Sequence, residues 1–154
     1  MQKIMILTLC MALTSTLLAQ QQSDQEAIKD AIQTLFDAYR AKDSSLMRPL
    51  FHPDATMSSA LVDKNGVPQW RKGDLQGFLN FAGTKNDNYY DERIYSYDIM
   101  IDGPLATAWT EYSFFLNDKF SHCGYNVFTF FKTADGWKII NIADTRRNTD
   151  CKTK

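Results

Sequence analysis

From Tyr89 the sequence takes up a period of two and keeps it through four consecutive segments. They run roughly over Tyr89–Ile101, Leu105–Leu116, Ser121–Lys132 and Trp137–Thr145. Asp102-Gly103-Pro104, Asn117-Asp118-Lys119 and Ala134-Asp135-Gly136 punctuate them. Long apolar-rich strands joined by turns this short pair as antiparallel neighbours. The C-terminal half is therefore expected to be a meander.

Upstream the spacing is helical. Ala27, Ile28, Ala31, Ile32, Leu35, Phe36 and Tyr39 form one stripe in an expected helix over Asp24–Ala41, with Ser23 or Asp24 as its cap. A second short helix, capped by Asp43 or Ser44, should carry Leu46, Met47, Leu50 and Phe51. His52-Pro53 stops it, because a residue before proline is pushed out of the helical region. Ala55–Val62 reads as a short strand and Lys64-Asn65-Gly66 as a turn. Lys72–Ala82 reads as a third helix, weakened by Gly73 and Gly77. Helices first and a meander afterwards define an α+β class, with helices packed on one face of a curved, mostly antiparallel sheet.

The first nineteen residues are read as a secretory leader. Lys3 gives the positive start, Ile4–Leu18 is apolar and uncharged, and Ala19 precedes Gln20-Gln21-Gln22. This leaves 20–154 as one domain of 154 − 19 = 135 residues, a size that fits a single core. The expected location is periplasmic or secreted. An oxidising compartment favours pairing the two remaining cysteines, Cys123 and Cys151; the alternative is two free thiols. With 17 Lys and Arg against 18 Asp and Glu, no uniform field exists to attract nucleic acid. No phosphate loop, nucleophile elbow or metal-binding helix motif occurs, so no cofactor and no metal are expected.

Strict alternation puts Trp109 and Glu111 on one face of their strand, His122 and Asn126 on one face of the next, and Asn141 on one face of the last. Taken together these faces give rings spotted with a few polar groups, the usual lining of a small-molecule pocket. Glu111 and His122 could meet as a carboxylate–imidazole pair, serving either as an acid–base couple or as a structural ion pair. Asn126 and Asn141 could serve a ligand or the backbone equally. Trp70, beside a turn, could be a lid. Asp144, Arg146 and Arg147 are read as surface pairs. Both faces of the sheet carry large apolar groups, so both need cover, which makes a homodimer through the sheet a reasonable expectation.

The strings LFDAYRAKDSSLMRPLFHPDAT and CGYNVFTFFKTADGWKIINIADTRR resemble the opening helices and the closing strands of the nuclear transport factor 2-like superfamily. Within it, the chain most resembles the secreted bacterial proteins called "putative lumazine-binding" or SnoaL-like. The resemblance implies a cone with a cystatin-like fold, a pocket at its open end and frequent dimerisation. Superfamily members include ketosteroid isomerase, dehydratases, cyclases and non-catalytic binders, so the fold does not choose among them. The ketosteroid isomerase positions fall at Leu35, Ser59 and Asn126 of this chain. Two of the three thereby lose their chemistry, while the resemblance places Trp109, Glu111, Asn126, Asn141 and Ala143 toward the pocket, with Ser59 and His122 counted among the expected pocket residues. The expectation that follows is a binder of a small, largely apolar or heteroaromatic molecule. The alternatives are a dehydratase, cyclase or isomerase using His122 with Glu111, and an interaction domain whose cone is filled by its own side chains.

Overall fold

The computed structural model describes the backbone of residues 2–153 and the side chains of residues 20–153. The side chains of the expected leader, 1–19, lie outside the described residues. Helix α1 is Gln2–Ala41, so it passes through Ser23 and Asp24 instead of being capped there. Asp24 has a different task. It accepts from Lys132 Nζ at 2.6 Å and from Trp137 Nε1 at 3.0 Å, which ties the helix to the far strands. Helix α2 (Ser44–Met47) is capped by Asp43, which accepts from the Ser45 amide at 3.0 Å, and a 3-10 turn, Arg48–Leu50, follows it. Helix α3 is Leu75–Ala82, capped by Asp74. It begins later than the sequence suggests because Pro68–Lys72 forms strand β2, hairpinned onto β1 (Phe51–Val62).

The expected long strand from Tyr89 is two strands, β3 (Tyr90–Ile94) and β4 (Asp98–Asp102). Both pair with β5 (Leu105–Leu116), one beyond the other along its length. Strands β6 (Lys119–Thr133) and β7 (Gly136–Arg146) complete the meander. The order across the sheet is β2-β1-β7-β6-β5-β3, antiparallel except for the β1–β7 pair. Helix α1 touches β3 and β4 at one side of the sheet and β7 further across, so the sheet wraps around it.

The core lies between α1 and this inner face. Ile28, Ile32, Leu35 and Phe36 meet Ala106, Ala108, Phe128, Phe130 and Ile139, all buried. Full burial of one such aliphatic side chain contributes about 2 kcal/mol, so the helical stripe is enough to hold α1 in place. Among the described residues no helix is long and apolar enough to cross a membrane.

Two one-residue bulges decide which side chains face inward. At the β5–β6 turn Phe115 pairs with Phe120, but Phe114 already pairs with His122, so Ser121 is extra. Along β7 Ile139 pairs with Phe130 and Asn141 with Thr129, so Ile140 is extra. Each extra residue reverses the inward–outward alternation of everything beyond it. A disulfide joins Cys123 of β6 to Cys151, with Cα atoms 5.7 Å apart. It straps the C-terminal segment over the outer face of the sheet. The strap is reinforced by backbone hydrogen bonds in both directions between Cys123 and Arg147 and by a bond from Ser113 Oγ to the Lys152 carbonyl.

Candidate functional site

A cavity of about 240 Å³ opens between α1, α3 and the inner face of the sheet. Its apolar wall comes from Leu35, Phe36 and Tyr39 of α1 and from Phe78 and Phe81 of α3. Met57, Phe114, Phe128 and Ile142 add to it from the strands. Tyr39 packs against Phe78 at 5.4 Å between ring centroids, and Phe36 against Phe128 at 6.2 Å. The helical stripe thus does two jobs: its lower turns fill the core and its upper turns wall the cavity.

The polar side of the cavity consists of Glu92, Tyr112, His122, Asn126, Asp144 and Arg146. Asn126 Nδ2 donates to Glu92 Oε1 at 2.7 Å. Burial raises the Glu92 carboxyl to about 7; the Asn126 hydrogen bond and Arg146 counteract it, and Asp144 reinforces it. A carboxyl taken out of water without a cationic partner in contact favours its neutral form. Asp144 has such a partner, since it accepts from Arg146 Nε at 2.6 Å and from Ser59 Oγ at 2.5 Å. His122 sits among the rings of Phe114 and Tyr112, with centroids at 5.1 and 5.8 Å. Burial, then Arg146, hold its imidazole below the ordinary value against the opposing pull of Asp144. The Tyr112 hydroxyl donates to the Thr145 carbonyl at 2.9 Å, and burial raises its pKa. The cavity therefore offers one neutralised ion pair, one carboxyl near its midpoint at neutral pH and one neutral imidazole.

Several expectations need correction. Trp109 and Glu111 do not face the cavity. The bulge at Ser121 turns both to the outer face, where Trp109 is 46% exposed and packs at a tilt against Tyr125, 5.6 Å between ring centroids. Glu111 pairs with Lys152 of the strap at 2.5 Å, so no Glu111–His122 couple exists. Asn141 is turned away by the Ile140 bulge and donates to Thr56 Oγ1 at 2.8 Å. The same bulge brings Asp144 and Arg146 to the cavity lining, where Asp144 is largely buried and its partner Arg146 keeps half of its side chain in solvent. Trp70 is 69% exposed on the edge strand β2 and does not line the cavity. Ser59 stands behind the lining and holds Asp144 in place. His122 and Asn126 are where alternation puts them, on the cavity side.

Glu92 escaped the sequence reading altogether. It lies in Asp91-Glu92-Arg93, an apparently solvated charge run. Only a register that sets Glu92 opposite Phe114 shows that it points inward while Asp91 pairs with Arg40 and Arg93. Nothing local in Asp91-Glu92-Arg93 marks the middle residue as inward. Among the described residues, no three His, Cys, Asp or Glu side chains converge as metal ligands would.

A wrapped sheet closing over helices, with an aromatic cavity polar at one side, defines a cone-shaped pocket protein of the nuclear transport factor 2-like class with a cystatin-like fold. The chain belongs to the family described as "Putative lumazine-binding", which matches residues 23–143. Solved structures agree on the fold. One is a nuclear transport factor 2-like protein with a cystatin-like fold from Novosphingobium aromaticivorans, 14% identical, covering 88% of this chain and 89% of that one, TM-score 0.66. A second, from the same organism, is described as the beta subunit of a putative aromatic-ring-hydroxylating dioxygenase. It is 19% identical over 86% of this chain and 95% of that one, TM-score 0.67. A third, described as a putative dehydratase from Streptomyces avermitilis, is 13% identical over 82% and 98%, TM-score 0.60. No curated protein matches the sequence significantly.

Proposed function

We propose that this chain is a secreted domain that binds a small ring-containing molecule in the cone and works as a homodimer through the outer face of its sheet. The observation that carries the binding reading is the cavity itself. Four elements contribute aromatic wall, while Glu92, His122 and Arg146 stand together on one side, giving a ring a seat and its polar edge a set of partners. The family description supports a small-molecule ligand, and a pteridine such as lumazine is the first probe it suggests. Cover for Trp109, Leu105, Phe131 and Met100, all exposed on the outer face, is the reason for a second copy.

Native mass spectrometry of the protein taken from its host tests both parts. A dimer carrying an added small mass supports the reading. Titration with lumazine, followed by fluorescence, then asks whether a pteridine occupies the cone. A protein that retains no small mass and binds neither lumazine nor any member of a broad set of ring metabolites does not have this function.

A further inference from the structure

The free hydrogen-bonding capacity of the cavity's polar side is one-sided. Asn126 is 5% exposed and commits its Nδ2 to Glu92 Oε1 at 2.7 Å. Its Oδ1 accepts no hydrogen bond among the described residues, and neither does Glu92 Oε2. The Tyr112 hydroxyl gives its proton to the Thr145 carbonyl at 2.9 Å, so its oxygen keeps only lone pairs. His122 is an acceptor in one tautomer and a donor in the other, so it does not choose. The donor that remains is Arg146, whose charge is matched by Asp144 at 2.6 Å. The residues lining this one cavity thus carry three unpartnered acceptor atoms.

Charge points the same way. Glu92 has no ion-pair partner among the described residues, unlike Asp91, Asp144 and Glu111. With Asp144 and Arg146 cancelling, the polar side carries one net negative charge when Glu92 is ionised. A monocation brings that charge to zero. A neutral ligand leaves the carboxylate uncompensated or makes it keep its proton, and an anion sets a second unmatched charge beside it. Tyr39, Phe78, Phe81 and Phe114 wall the same space, and aromatic rings attract a cation through their faces.

We propose that the cone selects a cationic nitrogen heterocycle carrying an amino group beside its ring nitrogen, with both N–H donors paired to the Glu92 carboxylate. This rests on the binding reading above and names its ligand class. The ring N–H meets Oε2, and the amino group meets Oε1, which keeps a second lone pair beside the one Asn126 uses. A further amino hydrogen is left for Asn126 Oδ1. Where the heterocycle arrives neutral, the Glu92 carboxyl proton passes to the lone pair of the ring nitrogen. The bound pair is then carboxylate and cation, with no proton gained or lost overall. The groups facing Glu92 are Tyr39 from α1, Tyr112 from β5, His122 and Asn126 from β6, and Asp144 and Arg146 from β7. Helix α3 and strand β1 contribute only Phe78, Phe81 and Met57. Of all these, Arg146 alone opposes a cation, and Asp144 offsets it.

The test compares three probes of one ring system by isothermal titration: 2-aminoquinoline, quinolin-2-one and quinoline-2-carboxylate. The first presents two N–H donors as its cation, the second one N–H beside a carbonyl, and the third an anion. At neutral pH 2-aminoquinoline should bind about 10- to 100-fold more tightly than quinolin-2-one, and the carboxylate more weakly than either. In Glu92→Gln that preference should vanish while quinolin-2-one still binds. Bound 2-aminoquinoline should show the absorbance of its cation at a pH where the free probe is neutral. Affinity for 2-amino-1-methylquinolinium, whose charge does not titrate near neutrality, should rise as Glu92 ionises near 7. These two readouts on the wild type decide the matter if the variant fails to fold. Quinolin-2-one or the carboxylate binding as tightly as 2-aminoquinoline overturns the selection and leaves the binding reading standing. A bound probe that stays neutral, or a flat pH profile, overturns it as well. If none of the probes binds, two-ring heterocycles are removed from the binding reading and the selection falls with them.

Discussion

Glu92 of β3 and Asn126 of β6 meet across the whole width of β5, with 2.7 Å between carboxyl oxygen and amide nitrogen. One neutral donor offsets only part of the cost of removing a carboxylate from water. The carboxyl therefore titrates near 7 instead of near 4.5. In the folded protein it binds its proton more tightly than in the unfolded chain. Stability from this group is full below about 4.5 and is lost as pH rises through 7. Glu92→Gln, which keeps the shape and removes the charge, should match the wild type in thermal melts at pH 5. At pH 8 it should exceed the wild type by about 2 kcal/mol. Equal stabilities at pH 8 would show that Glu92 is solvated.

The tether at Asp24 predicts a second effect. Its carboxylate holds Lys132 and Trp137 together at the start of the domain's helical stripe. Lys132, followed by burial acting in the opposite sense, lowers its pKa. Asp24→Ala should cost about 1–2 kcal/mol in chemical denaturation and shift Trp137 fluorescence, because the indole N–H loses its partner. An unchanged midpoint would mean that α1 is held by its apolar stripe alone.

The strap predicts a third. Cys123–Cys151 closes a loop of sequence separation 28, and Cys123 is 2% exposed. Cys151→Ser should lower stability by about 3 kcal/mol in the chain-entropy account. The loss should appear as a lower denaturant midpoint that added reductant does not lower further. Wild type and variant that unfold together under non-reducing conditions would contradict it.

Gly124 gives a fourth. It lies between His122 and Asn126 on the inner face, where a β-carbon would overlap the Thr145 carbonyl oxygen. That same oxygen accepts from Tyr112, so it cannot turn away freely. Gly124→Ala should cost more than about 2 kcal/mol and disturb the Asp144–Arg146 pair beyond it. A variant with wild-type melting would show that β7 can shift away.

The outer face supplies the fifth. Trp109→Asp and Phe131→Asp place charges on exposed positions away from the cavity. If two copies join through this face, light scattering should show the wild type as a dimer and the variants as monomers, with small-molecule binding unchanged. Variants that remain dimeric would place the interface elsewhere.

The helical stripe, the meander, the cysteine pair and two cavity residues, His122 and Asn126, were legible in the sequence because each depends on local period or composition. The lining as a set was not. Trp109, Glu111 and Asn141 were assigned inward by unbroken alternation, and nothing local marks Ser121 or Ile140 as an inserted residue. Both are ordinary strand residues, and only the pairing of neighbours shows that one position too many is present. Glu92 was missed for the same kind of reason. Its neighbours Asp91 and Arg93 form a surface-like charge pattern, and the break of the first long strand at residues 95–97 is invisible in a continuous period of two.

The bulge at Ile140 also bears on how this chain can be compared with others. Unbroken pairing of β7 would have turned an amide, a methyl and a hydroxyl into the cavity, from Asn141, Ala143 and Thr145. With the bulge, the inward positions are an aliphatic, an acid and a base, from Ile142, Asp144 and Arg146. A related chain with one residue fewer at this point would present the same inward set without any bulge. A gapless alignment of the two would then match the outward residues of one to the inward residues of the other on one side of the missing position. Kinship in this region is therefore read by counting from the β6 partner, not along the chain.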